Sequence, residues 1–290
     1  MINPQLENKT VLITGANHGI GAATAKAFAE QGAKVFITYY QPPMDYPQEE
    51  LDAALDAGVG GDALYRALQQ RPIDILLGEI RAEGGVVDAM EADFSDSAII
   101  PQVFDACEDV LGPVDVLVNN HAYCVLETFD PAMIGADIED GVHYVSANQI
   151  DAHFAINTRA FALLMAEYVQ RAVKRQSGWG RVINISTDAA HAHEHNVSYA
   201  ASKHAIESYS RSAASEMGKY GITINIVSPG PTQTGYIRPD DEAHLVAGTP
   251  LGRLGAADDI ADVVVFLASE QARWITGQLL YAGGGWRMGQ

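Results

Sequence analysis

Short runs dominated by β-branched and aliphatic residues alternate with longer helix-like stretches along almost the whole chain, and no other feature restricts the possible folds as much. The runs fall at residues 10–13, 34–38, 86–91, 114–118, 181–185, 222–227 and 278–281. Helix-like stretches at 20–31, 95–111, 150–176, 198–220 and 257–267 separate most of them. A strand with one wet face alternates apolar and polar residues, whereas a nearly continuous apolar strand is buried on both faces. Strand, helix, strand in this order predicts an α/β fold, a doubly wound parallel sheet with helices on both sides. The chain has 290 residues, 48% of them hydrophobic and 19% charged, which is enough to bury a full core. Neither a composition break nor an internal repeat divides it, so residues 1–290 are expected to form one domain. Two segments exceed what the layout needs, residues 41–84 and 129–149, and both read as insertions.

Charge excludes several partners. Lys and Arg number 18 against 37 Asp and Glu, a net charge of −19. A polyanion such as nucleic acid, or an anionic membrane surface, would be repelled. Such acidity with only six lysines also fits a salty habitat. The two cysteines, Cys107 and Cys124, suit neither a disulfide scaffold nor a zinc knuckle. The longest apolar runs are far shorter than a bilayer span, and the first ten residues have no signal pattern. A cytoplasmic location is expected.

The first strand runs into Thr14-Gly15-Ala16-Asn17-His18-Gly19-Ile20-Gly21 and then an alanine-rich helix. Glycines let the backbone turn sharply and approach a ligand, while the N–H groups of a helix start attract a pyrophosphate. The expected ligand is therefore a dinucleotide in a Rossmann-like crevice. Further along, Tyr199 and Lys203 lie four residues apart and so share one face of a helix. A fixed ammonium beside a phenol favours the phenolate, which suits Tyr199 to act as a general acid/base.

Four motifs occur together: the glycine turn, Asn119-Asn120 after the fourth strand, Tyr199-Ala-Ala-Ser-Lys203, and Pro229-Gly230 after the sixth strand. With Asn157 in the long helix, they make the sequence resemble the short-chain dehydrogenase/reductase family in its single-domain form. The similarity runs from Lys9 to the end except in the two insertions, and its general pattern is that of 3-oxoacyl-carrier-protein reductases. It implies an NAD(P)-dependent oxidoreductase that interconverts a secondary alcohol and a ketone. Asn157, Thr187, Tyr199 and Lys203 are then the catalytic group, with Asn157 holding a water that links Lys203 to solvent. The cofactor would contact Gly15, Asn17, His18, Gly19, Ile20 and Gly21 in the turn, and Tyr39 at the end of the second strand. It would also contact Asp93 and Phe94 after the third strand, Asn120 after the fourth, Tyr199, Lys203, and Pro229, Gly230, Thr232 and Thr234. Family members associate through the long helix and the tyrosine helix, so a homodimer or homotetramer is implied, with Phe161, Leu164 and Met165 on the contact.

Several points stay open on sequence grounds. Strand register selects Thr187 as the substrate-orienting hydroxyl, whereas the interval back from the tyrosine selects Ser186. The usual Ala-Gly after the paired asparagines is His121-Ala122, a ring that could narrow the site, bond substrate or point away. Thr38, Tyr39 and Tyr40 end the second strand without a carboxylate, which favours NADP over NAD, with His18 the nearest candidate cation. His191, His193 and His195 would share one face if the segment were extended, but this type of hydride transfer needs no metal and none is expected. The substrate is read as a small free alcohol or ketone. A carrier-bound oxoacyl group is the alternative, for which Arg171, Lys174 and Arg175 could form a docking patch. A non-catalytic dinucleotide sensor or a methyltransferase would leave Tyr199, Lys203 and Asn157 without a purpose.

Overall fold

Side chains alternate across a strand, so each apolar run supplies both faces of a sheet at once. In a computed structural model that describes residues 3–44, 46–134 and 141–287, the first half holds β1 (Thr10–Ile13), α1 (Gly19–Glu30), β2 (Lys34–Tyr39), α2 (Gln48–Ala57), α3 (Asp62–Gln70), α4 (Ile73–Ala82), β3 (Val86–Glu91), α5 (Ile99–Leu111) and β4 (Val116–Asn119). Next come β5 (Glu127–Thr128), β6 (His143–Tyr144), α6 (Ala147–His153), α7 (Phe161–Lys174), β7 (Gly180–Ile185) and α8 (Val197–Met217). The last part is β8 (Ile222–Pro229), β9 (Thr232–Gln233), α9 (Pro239–Gly248), β10 (Gly255–Ala256), α10 (Ala257–Ala268) and β11 (Leu279–Ala282).

Seven strands form one sheet in the order β11-β8-β7-β4-β1-β2-β3, every neighbouring pair parallel. The doubly wound parallel sheet expected from the sequence is therefore present. Val11 and Ile13 face a core built with Phe28 of α1, Ile80 of α4 and Val264 of α10. Leu12 faces the opposite core with Phe104 of α5, Leu164 and Tyr168 of α7 and Ile224 of β8. The chain winds outward in one direction from β1 and in the other from β4. The crevice at the carboxyl ends of those two strands is the ligand position that such a reversal creates.

Two elements depart from the sequence reading. The single helix expected over 150–176 is α6, then a π-helical stretch Phe154–Ala160, then α7. A π-turn widens the helix by one residue per turn and often marks a functional site; here it carries Asn157. The second departure is α4, which was not anticipated. Ile73, Leu76, Leu77 and Ile80 carry its helical spacing, and the last three are buried. Helices α2 and α3 likewise lie within the segment 41–84 read as an insertion. Of the segment 129–149, residues 135–140 lie outside the described residues. Among the described residues, no helix is long and apolar enough to cross a membrane.

Candidate active site

The glycine turn follows from close packing at the crevice. Gly15 has φ +63°, and a Cβ there would lie 2.6 Å from the His121 Cα. A Cβ on Gly21 would lie 2.5 Å from the Gly15 carbonyl oxygen, where backbone cannot yield. The Asn120 side-chain amide holds the turn by donating to the carbonyls of Gly15 at 2.7 Å and Thr14 at 3.2 Å. Helix α1 begins here with no side-chain cap and no acidic residue in its first turn. Its leading N–H groups therefore remain for an anion, which fits the pyrophosphate of a dinucleotide.

His121 lies between the rings of Phe94 and Phe161, each 4.5 Å away. Its Nε2 contacts the Ile156 carbonyl at 3.1 Å and must donate, so Nδ1 accepts from the Thr14 hydroxyl at 2.7 Å. Thr14 Oγ1 in turn accepts from the Asn120 N–H at 3.0 Å. Burial, aided by the Lys203 charge, pushes this imidazole down to about 3, so it stays neutral. Of the alternatives left open by the sequence, the ring points into the core.

Lys203 Nζ donates to the Ile185 carbonyl at 2.9 Å, 4.6 Å from the Phe161 ring centre and 5.9 Å from that of Tyr199. Burial lowers its amine to about 7. Tyr199 is shifted the other way, its phenol raised well above 10 by burial, with Cys124, Tyr65 and Asp188 adding to the shift. Burial, and not the neighbouring ammonium, sets the direction of the phenol's shift. Asn157 accepts from the Tyr123 N–H at 2.7 Å and donates to the Tyr123 carbonyl at 2.8 Å and to Ser202 Oγ at 3.0 Å. It clamps the loop after β4 onto α8. Ser186 is buried and donates to Glu207 Oε1 at 2.9 Å, away from this cluster. The Thr187 hydroxyl is held only by long bonds, accepting from the Ala189 N–H at 3.3 Å and donating to Asp188 Oδ1 at 3.4 Å. Asp188, which the sequence reading passed over, is raised by burial to about 6.

The remaining cofactor positions line the same edge. Asp93 accepts from the Ser95 N–H at 2.8 Å. Thr232 Oγ1 donates to the Gly230 carbonyl at 2.9 Å, and Pro229 ends β8. The Thr234 side chain abuts Gly19, so the two lips of the crevice touch. Tyr39 pairs in register with Glu91, which accepts from the Gln41 N–H at 3.2 Å. His18 is not a cation: burial lowers it to about 4. The positive groups nearby are Lys26 and Arg71, which with His18 and Asn17 line a cavity of about 120 Å³, and both pair with Glu79.

Helix α3 crosses both lips of this crevice. Asn17 donates its side-chain amide to the Gln69 carbonyl at 2.9 Å, and the Gly61 N–H donates to the Gly235 carbonyl at 2.9 Å. The Tyr65 ring meets His18 edge-on at 5.1 Å and Tyr236 at 5.7 Å. A larger cavity, about 230 Å³, opens beyond Tyr236 and is lined also by Leu126, Arg238, Asp241, His244 and Leu245. Of the two insertions, it is the first, through α3, that spans the cleft. Because a cofactor must pass beneath it, Tyr65→Ala is expected to raise the NADPH association rate several-fold in stopped-flow nicotinamide fluorescence. An unchanged rate would show that α3 does not restrict entry.

One other expectation, the packing of Phe161, Leu164 and Met165, is corrected, and two alternatives left open by the sequence are decided. The segment 188–196 is a series of turns with His195 at φ +64°, so its three imidazoles do not share an extended face. Phe161, Leu164 and Met165 are buried in the chain's own core and leave Leu163 of α7 and Tyr209 of α8 exposed. The basic patch is neutralised, Arg171 by Asp105, Glu108 and Glu167, and Arg175 by Glu108.

Comparison with known proteins agrees with this geometry. Residues 9–59 match the family described as short chain dehydrogenase, and residues 61–287 match the one described as Enoyl-(Acyl carrier protein) reductase. The L-rhamnose 1-dehydrogenase (NAD(P)(+)) of Sphingomonas sp. (strain SKA58) is 33% identical, over 97% of this chain and 96% of its own. The chloroplastic NADPH-dependent aldehyde reductase 2 of Arabidopsis thaliana is 32% identical, over 97% and 94%. The crystal structure of a blue fluorescent protein from a metagenomic library, in complex with NADPH, superposes with a TM-score of 0.76 at 30% identity, covering 97% of this chain and 98% of that one. Sheet order, glycine turn and sequence similarity over nearly the full length agree, and the chain belongs to the short-chain dehydrogenase/reductase family as an NAD(P)-dependent oxidoreductase.

Proposed function

We propose that the protein interconverts a small secondary alcohol and its ketone, with Tyr199 as general acid/base. The observation that carries this reading is the placement of Lys203 one helical turn from Tyr199, its Nζ buried 5.9 Å from the phenol ring at the carboxyl edge of the sheet. The cofactor supplies or accepts the hydride. In reduction, Tyr199, kept protonated by burial, gives its proton to the carbonyl oxygen. Thr187, whose hydroxyl has only long internal bonds, turns to the same oxygen and orients it. The Lys203 ammonium stabilises the phenolate left on Tyr199, which regains its proton from solvent, and Asn157 fixes the loop that carries Tyr123 against α8. The N–H groups of α1 and the turn of Gly15, Asn17, Gly19, Ile20 and Gly21 would hold the pyrophosphate. Tyr39, Asp93 and Phe94 would hold the adenosine.

The neutralised Arg171 and Arg175 favour a free substrate over one delivered on an acidic carrier, because the docking surface lacks net positive charge. Relatives named as an aldehyde reductase and a sugar dehydrogenase support a small polar substrate. The preference for NADP rests on the absence of an acid at the end of β2 and on Arg71 and Lys26 beside the glycine turn; Glu91 acts against it. The reading takes the chain as one domain, associating as a homodimer or homotetramer in the cytoplasm through the face that exposes Leu163 and Tyr209.

The test is a spectrophotometric screen of ketones, aldehydes and sugars with NADPH and NADH at equal concentration. Turnover of a free carbonyl compound is expected, with the higher kcat/KM for NADPH. Turnover confined to carrier-bound oxoacyl groups would replace the substrate reading, and dinucleotide binding with no turnover of any compound would replace the catalytic one.

A further inference from the structure

Outside the cleft, the turn after β7 and the outer face of α8 bring together three groups that the oxidoreductase chemistry does not use. His191 comes from the turn, and His204 and Glu207 lie three residues apart on α8. One ligand atom from each lies within 4.8 Å of the others. We propose that His191, His204 and Glu207 bind a divalent cation of borderline softness, Zn²⁺ being the best match, and so tie the loop that follows Thr187 to the helix that carries Tyr199.

Glu207 is the anchor. Its side chain is 1% exposed; Oε1 accepts from Ser186, but Oε2 is buried without any hydrogen-bond partner. A buried carboxylate oxygen left unpaired is costly, and this one faces His204 Nδ1 at 3.8 Å. The Arg211 guanidinium also faces it at 3.8 Å, outside hydrogen-bond range, and its side chain is about half exposed at 49%, so it can withdraw. The His191 and His204 rings are 5.0 Å apart and exposed, and neither is fixed by the core. Zinc requires donors at ~2.0–2.2 Å, so the two exposed imidazoles would turn towards Glu207 Oε2 to close on the ion, giving two nitrogens and one carboxylate as ligands. The Tyr281 hydroxyl, 3.4 Å from His191 Nε2, borders the same space, and water can take the fourth position. Only His191 of the three histidines in the turn takes part; His193 Nδ1 is engaged by the Glu194 carbonyl at 2.7 Å.

The cation here is structural and does not touch the reacting atoms. Its effect is on the turn 188–196, which Glu207 already reaches through Ser186 and which holds Asp188. The experiment uses the full chain, freed of metal with a chelator, and does not depend on any turnover. Titration with Zn²⁺ against a chromophoric competitor should show one equivalent bound and a raised Tm, and Co²⁺ should give a visible d–d spectrum of a low-symmetry site. His191→Ala and His204→Ala should each weaken Zn²⁺ at least tenfold and remove the rise in Tm, whereas His193→Ala should leave both unchanged. Absence of stoichiometric binding would overturn the proposal, as would affinity insensitive to His204→Ala or sensitive to His193→Ala.

Discussion

Tyr199→Phe is expected to lower kcat/KM for carbonyl reduction by about 10³-fold, within the ~10²–10⁴ that a positioned general acid contributes. That loss corresponds to about 4 kcal/mol of transition-state stabilisation. The ring and its packing remain, so NADPH affinity, read by nicotinamide fluorescence, should change little. The direction of the pKa shift adds a second signature. Burial raises the phenol, so the proton needed for reduction is present throughout the neutral range. Alcohol oxidation needs the same group deprotonated and should accelerate as pH rises, until the fold itself titrates. Tyr199→Phe should remove the pH dependence of both directions together with the rate. A variant keeping more than a tenth of native activity would place the proton donor elsewhere.

Lys203→Met is expected to inactivate the enzyme and yet make the cofactor-free chain more stable near pH 7. The amine is buried, and desolvation lowers it to about 7 in the folded chain from 10.5. A lysine whose folded value is depressed binds fewer protons folded than unfolded between the two values, so native stability rises with pH across that window. Below about pH 7 the amine is protonated in both states and the penalty for burying it is constant. Between pH 7 and 9.5 the native protein should gain on the order of 3 kcal/mol that the methionine variant does not. Buried acids such as Cys107 and Tyr168 also titrate late, but they are common to both proteins and cancel in the difference. Urea midpoints for the pair at several pH values measure the effect. A variant less stable than native at pH 7, with a gap independent of pH, would show that the Ile185 carbonyl and the Phe161 ring fully compensate the buried charge.

These two results bear on one compromise. An ammonium kept beside the phenol weakens the fold, and the surrounding core tolerates it because the flanking strands are buried on both faces. Burial is the largest cause of the shift in each group, so it sets the charge state of the pair. Covering the cleft with α3 bears on cofactor entry.

Much of this was legible in the residues themselves. Continuity of the apolar runs identifies the inner strands β8, β7, β4, β1 and β2, which are buried on both faces, whereas the edge strands β3 and β11 are only partly buried and are read from their place in the alternation. Tyr199 and Lys203 are readable as a pair because four residues on a helix define one face whatever surrounds it. The glycine turn is readable because a Cβ at Gly15 or Gly21 would strike backbone, a constraint that acts within a few residues. By contrast α4 carried a helical pattern inside a segment that looked like excess loop, and the surrounding prolines and glycines masked it.

What the tertiary structure alone decided depends on contacts distant in sequence. That His121 is a neutral core residue follows from Phe94, Phe161 and Ile156 enclosing it. Ser186 turns away from the cleft because its hydroxyl donates a hydrogen bond to Glu207 Oε1, twenty-one residues on. Leu164 and Met165 belong to the core because α5 and β4 cover them, Phe161 is buried against His121 and Lys203, and Arg171 is neutral in effect because Asp105 and Glu108 of α5 reach it. The local pattern determined the sheet, the helix faces and the turn that awaits a dinucleotide. Burial, charge pairing and the placement of α3 over the crevice came only with folding, since desolvation and long-range contacts are properties of the packed chain and not of any segment within it.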